Sequence, residues 1–287
     1  MLSIARNEPG FVADLRALAS QVHPVFMLPP VATAVFGAVL AEMPDPIPAA
    51  LHAVAIFAAV YTAHVKDGYV DFHVRDEDDD HPMTPKGCRI TLAGSTALFA
   101  GSVLGLFVLS GPFGAVLTLP TWLLGYFHAP QLDTNPVTAT AGYPFGVFLA
   151  ILGGYAVQTG TLSATPFAFA AVFLVLLSSV KVVDDAQDYE YDLDIEKRSV
   201  AVVLGPARAR GFADLLVAAG LLLVVALAVA GPFPPTAILA AIAFGVVAAV
   251  ARRGDPKVAT MLLVRGSYVF LAVLIVAVHW RPLAWLW

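Results

Sequence analysis

VVDDAQDYEYDLDIEKRSVAVVLG, residues 182 to 205, is an acidic run that leaves the end of a long apolar segment. If the apolar helix continues into it, Asp185, Asp188 and Asp192 fall at i, i+3 and i+7 and share one face. Carboxylates so close repel and raise one another's pKa, so such a stripe is costly unless something positive sits among the oxygens. A divalent cation is the simplest candidate. Mg²⁺ takes a few carboxylate oxygens together with waters and substrate phosphates, so the stripe reads as a device for holding a phosphorylated ligand through metal.

The rest of the chain sets that stripe at a membrane. Of 287 residues, 59% are hydrophobic and 13% charged, and the mean hydropathy is +0.80. This composition predicts an all-α polytopic membrane protein. The single cysteine, Cys88, excludes a disulfide framework and reads as a small apolar side chain near a helix start. The early apolar run holds Pro24, Pro29 and Pro30 and lacks a small-residue cleavage site, so no signal peptide is expected. Phe11, Val12, Leu15 and Leu18 suggest a short amphipathic helix on the membrane surface.

Nine apolar segments of spanning length follow, near 21–41, 47–66, 89–109, 113–127, 143–158, 164–183, 209–229, 234–251 and 258–279. With the N-terminus cytoplasmic, fifteen of the sixteen lysines and arginines lie at inner loops and helix ends, and only Arg281 is left outside. A multi-pass protein of the cell membrane is therefore expected, its chemistry on the cytoplasmic side, where the longer polar loops are. Seven acidic residues lie between Asp67 and Asp80 and seven between Asp184 and Glu196, so two inner loops hold two thirds of the 21 acids. A generic solvated surface does not concentrate charge in this way.

In the first of these loops, KDGYVDFHVRDEDDDHPMTPKGCR (66–89), Asp67 and Asp71 are spaced i, i+4 on one helical face where the second span emerges. Ionised groups at a membrane helix exit are expensive unless used, so both are expected to be metal ligands, with Asp76 following and Arg89 opening the next span. Glu77 to Asp80 read as a hydrated turn. Arg265 lies about two turns inside the last span, where an unpaired charge costs about 2.5 to 3.5 kcal/mol, so it is expected to face the bundle and an anion. The seven histidines are scattered, and none has a second histidine at ligand spacing that would suggest zinc.

Two aspartate loops, after the second and the sixth of nine spans, resemble those of the UbiA superfamily of intramembrane prenyltransferases, whose motifs are of the NDxxDxxxD and DxxDxxxD types. Here the second motif stands as Asp185, Asp188 and Asp192, followed by KRSVAVVLG, and the resemblance extends over essentially the whole chain as one domain, 1–287. The stretch GYPFGVFLAILGGYAVQTG (142–160) looks like the fifth span of the menaquinone branch, which attaches a polyprenyl tail to dihydroxynaphthoate. The first motif departs from the pattern: with Asp71 as its second aspartate, the first falls on Gly68 and the third on Arg75, Asp76 coming one place late. The loop after the fourth span, YFHAPQLDTNP, offers Tyr126 for the family's tyrosine; it has no lysine, and His128 or Gln131 would substitute.

The resemblance implies Mg²⁺-dependent transfer of a polyprenyl group from an allylic diphosphate to an aromatic or lipid acceptor, among membrane lipids and without nucleic acid. Asp67, Asp71, Asp185 and Asp188 would be catalytic, and with Asp76 and Asp192 would hold metal. Basic residues near both motifs, Arg89, Lys181, Lys197 and Arg198, would complete a diphosphate clamp, and Arg265 and Tyr126 would add substrate contacts. Burial between helices would keep the allylic cation from water, and the faces of Tyr69, Phe72, Tyr143 or Phe145 would stabilise it. The rival readings are a CDP-alcohol phosphotransferase, which lacks the AR pair here; a transporter, whose ionisable groups would lie at the bilayer midplane; and a prenyl-lipid-binding homologue without catalysis.

Overall fold

Four helix starts use one local device. Asp45, Thr84, Asn135 and Asp255 each precede a proline and accept a hydrogen bond from an N–H of the helix that follows, at 2.9, 2.9, 2.9 and 3.0 Å from Ile47, Gly87, Val137 and Lys257. The cap satisfies a free donor, and proline at the first helical position has none to satisfy. In a computed structural model, which describes residues 3–42 and 44–280, these caps open α3 (Pro46–His73), α4 (Pro85–Ser110), α6 (Pro136–Thr159) and α12 (Pro256–Ile275). The other helices are α1 (Phe11–Ser20), α2 (Pro24–Val39), α5 (Pro112–Tyr126), α7 (Ala164–Gln187), α8 (Tyr189–Asp194), α9 (Val200–Leu204), α10 (Pro206–Ala230) and α11 (Ile238–Ala251). Among the described residues the only β pairing is an isolated bridge between Ala5 and Met83.

Each of the nine apolar segments is a helix, so the all-α expectation holds. Six of them, α3, α4, α6, α7, α10 and α12, are long and apolar enough to cross a membrane, and a seventh span results if α1 and α2, bent by 71°, count as one. The 15 residues of α5 and the 14 of α11 reach only about 22 Å, short of a hydrocarbon core of about 30 Å. Arg281 lies outside the described residues. Phe11, Val12 and Leu15 are exposed on α1 while Ala17 and Leu18 pack inward, the amphipathic pattern the sequence suggested.

The long helices form a closed ring. In turn α2 packs on α3, α3 on α4 and α5, α5 on α6, α6 on α7, α7 on α10, α10 on α11, α11 on α12, and α12 returns to α2. Without a hydrophobic drive inside lipid, close backbone approach and polar contacts hold such a ring. The contacts of α6 show both. A Cβ on Gly154 would meet the Ala34 carbonyl at 2.1 Å, and one on Gly37 would meet that of Ile151 at 2.2 Å. Beside them the buried His52 of α3 bonds Thr118 Oγ1 on α5 at 3.1 Å and the Ala150 carbonyl on α6 at 3.0 Å. Farther round, Phe36 meets Phe169 edge to face at 5.2 Å and Phe173 meets Phe270 at 5.3 Å.

Gly154→Val is expected to cost about 1 to 3 kcal/mol by overpacking, seen as a lower unfolding midpoint in detergent. Gly101→Ala, where a Cβ meets nothing within 4 Å, is the control expected to hold its midpoint.

Candidate functional site

Helical phase decides which side chains reach the space inside the ring. Along α3, Ile56, Ala59, Val60, Ala63, His64 and Asp67 recur at i, i+3 and i+4 steps, and along α7 so do Leu177, Val180, Lys181 and Asp184; both stripes line one cavity of about 320 Å³. Residues of α2, α5, α6 and α12, among them Pro29, Leu124, Val147 and Val264, supply apolar walls. The polar end holds Asp67, Asp184 and Lys181, with His23, His64 and His128. His23 and His64 lie 4.8 Å apart between ring centroids, and His64 Nδ1 is buried without a hydrogen-bond partner. The two acidic loops therefore meet at one end of one apolar chamber.

The second loop differs from a continuous stripe. α7 runs one turn past its apolar segment, to Gln187, and breaks at Asp188 before the short α8. Asp184, not Asp185, faces the cavity. Asp185 is 1% exposed, and its carboxylate accepts from Lys181 Nζ at 2.6 Å and from Thr140 Oγ1 at 2.9 Å. It turns this way because Val182 and Ala186 pack on Ala201 and Ala209, which fixes the phase of the last turn. Lys181 also bonds Asp184 at 2.9 Å. Asp188 is exposed at the break. Asp192 is again 1% exposed; Lys197 Nζ donates to its Oδ1 at 3.1 Å, while Oδ2 is buried with no partner. Burial pushes the Asp192 carboxyl up, against the pull of Lys197.

In the first loop a cation stands where the resemblance places a third aspartate. The Arg75 guanidinium lies 3.6 Å from Asp71, 3.5 Å from Glu77 and 3.6 Å from Asp133. Glu77, assigned from sequence to a hydrated turn, is largely buried and accepts from the Tyr191 hydroxyl at 2.9 Å. Burial and that carboxylate hold the Tyr191 phenol protonated above its usual range. The Arg198 N–H also donates to the carbonyl of Asp133 at 2.8 Å, and Asp133, in the α5–α6 connection, pairs with Arg75. The two acidic loops are therefore joined directly through Tyr191 and Glu77 and indirectly through Asp133.

Of the remaining expected site residues, Tyr126 stacks on Trp122 at 4.9 Å, and the Lys66 ammonium lies 5.3 Å from its ring centre, so a lysine reaches this loop from α3. His128 lines the cavity and Gln131 is exposed. Asp76 is exposed in a left-handed turn, φ 58°. Arg89 is exposed on α4, which gives no residue to the cavity. Arg198 makes only its backbone contact with the cluster. Arg265 departs from expectation: it is exposed on α12, one residue off the Val264 and Ser267 face that reaches the cavity, and forms no ion pair among the described residues. Of the aromatics named from sequence only Tyr143 lines the chamber, its hydroxyl donating to the Phe26 carbonyl at 3.0 Å. Asp184, His23 and His64 are not among the site residues the sequence reading names; the 177, 180, 181, 184 spacing is the signal for Asp184.

The fold has close relatives among solved structures. An apo UbiA homologue from Aeropyrum pernix K1 superposes with a TM-score of 0.74 at 17% identity, covering 89% of this chain and 98% of its own. A UbiA homologue from Archaeoglobus fulgidus, bound to GPP and Mg²⁺, gives 0.70 at 16% identity, with 93% and 99% covered. A structure of digeranylgeranylglyceryl phosphate synthase gives 0.67 at 12%, with 93% and 97% covered. No curated protein matches the sequence. The family model for UbiA prenyltransferases matches residues 27–274, and the chain belongs to the UbiA prenyltransferase family.

Proposed function

We propose that the protein is a Mg²⁺-dependent prenyltransferase moving a polyprenyl group from an allylic diphosphate to an aromatic or lipid acceptor. One observation carries the reading: Asp67 and Asp184, from two separate acidic loops, share the polar end of a single apolar chamber. The structure of the Archaeoglobus relative with GPP and Mg²⁺ supports it. The donor set fits the ion, since Asp192 Oδ2 is a buried acceptor lacking a partner and Asp67 and Asp188 form no ion pair among the described residues. Asp67, Asp184, Asp188 and Asp192 would hold it, and Mg²⁺ there would screen the diphosphate and stabilise charge on the leaving group.

The chain's own residues do the rest. Asp71 and Asp185 are occupied by Arg75 and Lys181 and act by position, keeping a cation beside each loop. Lys181 adds positive charge within the chamber for the departing diphosphate. The walls exclude water from the allylic cation. His64 Nδ1, free of other partners, is placed to take the proton the acceptor loses. Tyr126 and Lys66 border the same mouth. The basic distribution along the chain supports a mouth on the cytoplasmic side of the cell membrane, with nine helices embedded and α5 and α11 the shortest.

Purified protein offered labelled prenyl diphosphates of several lengths, with naphthoate, benzoate, glycerol-phosphate lipid and carotenoid acceptors, is expected to yield a prenylated lipid by mass only with Mg²⁺; no product in any pairing would count against the reading. Asp67→Asn and Asp188→Asn are each expected to lower turnover about 100-fold or more, with Asp76→Asn near wild type. Arg75→Gln strands Asp71, Glu77 and Asp133, and is expected to cost about 3 kcal/mol of stability. Arg75→Asp, which restores a third aspartate, should be worse, not better, in both unfolding midpoint and turnover.

A further inference from the structure

His73 ends α3, His81 closes the first acidic loop, and Cys88 lies in the first turn of α4. Their sequence spacing matches no metal motif, but α3 packs on α4, and the loop's return brings one donor atom of each within 4.8 Å of the others. His81 is 3% exposed and Cys88 fully buried. The histidines share an acceptor: His73 Nε2 lies 3.1 Å and His81 Nδ1 3.2 Å from the Met83 carbonyl oxygen. A carbonyl only accepts, so each ring that donates to it keeps a bare lone pair on its other nitrogen.

For His81 that nitrogen is Nε2, which is buried and has no hydrogen-bond partner. The alternative tautomer, with Nδ1 accepting from the Met83 N–H at 3.2 Å, leaves an equally stranded N–H at Nε2. Only the first is relieved by a cation, and it has the arrangement in which a backbone carbonyl orients a ligating imidazole. Nε2 sits close against α3, where a Cβ on Gly68 would come within 2.7 Å of it, so the glycine is what lets the ring take this place.

We propose that His73, His81 and Cys88 bind a Zn²⁺ ion, separate from the carboxylate site. Two imidazoles and a thiolate are soft and borderline donors that suit zinc and not magnesium. Tetrahedral zinc sets its ligands about 3.5 Å apart, so side-chain rotations of about 1 Å close the set. Binding forms a Zn–S bond and releases the Cys88 thiol proton to solvent. Its effect is on the loop: Met83 bridges Ala5, the Arg6 N–H bonds the Pro82 carbonyl and the Thr84 N–H that of Ile4, each at 2.9 Å. Zinc here would tie the end of α3, the loop's return and the N-terminal segment into one unit under the first acidic loop.

The test is elemental analysis of full-length protein purified from zinc-supplemented cells without chelator. Stoichiometric zinc is expected in the wild type and in Asp188→Asn, and its loss in Cys88→Ser and His81→Ala. Cobalt added to metal-free protein is expected to give thiolate-to-metal absorption that Cys88→Ser lacks, and a chelator should lower the unfolding midpoint of wild type but not of Cys88→Ser. Zinc well below stoichiometry in the wild type, or retained in the Cys88→Ser protein, overturns the proposal. Should His81→Ala fail to fold, the near-isosteric serine variant carries the result.

Discussion

Carboxylates gathered at the mouth of an apolar chamber repel one another, and the structure is arranged around how that repulsion is met. Arg75 answers three of them, Lys181 two and Lys197 one. These internal pairs allow fourteen acidic residues in two loops to coexist with a membrane fold whose walls offer them nothing. They also divide the acids by partner. Asp71, Glu77, Asp133 and Asp185 are tied to a lysine or arginine, and Asp184 shares Lys181 while facing the cavity. Asp67 and Asp188 form no ion pair among the described residues, nor does the buried second oxygen of Asp192 have a partner.

The ring gives that mouth its rigidity. Glycine contacts between α2 and α6 and the His52 bridge bring α3, α5 and α6 to fixed distances, so the stripes ending at Asp67 and Asp184 face each other from different helices. The loops beyond are joined by the Tyr191 to Glu77 hydrogen bond and, through Asp133 of the α5–α6 connection, by the Arg198 backbone bond and the Arg75 ion pair. Flexible loops placing charges by chance would not need such stitching. A substrate with an apolar tail and an anionic head fits the division between chamber and mouth.

Much of this is legible in the sequence, for identifiable reasons. Hydropathy marks the nine helices, the four cap-proline pairs mark where four of them begin, and the position of Asp67 at a span's exit marks it as a candidate, which the structure sets at the cavity. Phase at a helix end is harder: whether Asp184 or Asp185 faces inward depends on Val182 and Ala186 docking against α9 and α10, contacts distant in sequence. Arg75 reads as a lost ligand until Glu77 and Asp133 are seen beside it. Arg265 was expected inside because charge within an apolar segment is costly, yet it lies a single residue away from the cavity face. The grouping of His73, His81 and Cys88 comes from a loop doubling back, which no spacing rule encodes.

The central claim, that the two acidic loops close on each other at one mouth, is tested most directly by cross-linking across the Tyr191 to Glu77 contact. With Glu77→Cys and Tyr191→Cys introduced together, a bifunctional thiol reagent long enough to replace the two removed side chains is expected to link the pair within one molecule in membranes, while either single variant gives no such link. If the reagent leaves the double variant unlinked, or links it only between molecules, the loops do not meet and the shared site is contradicted.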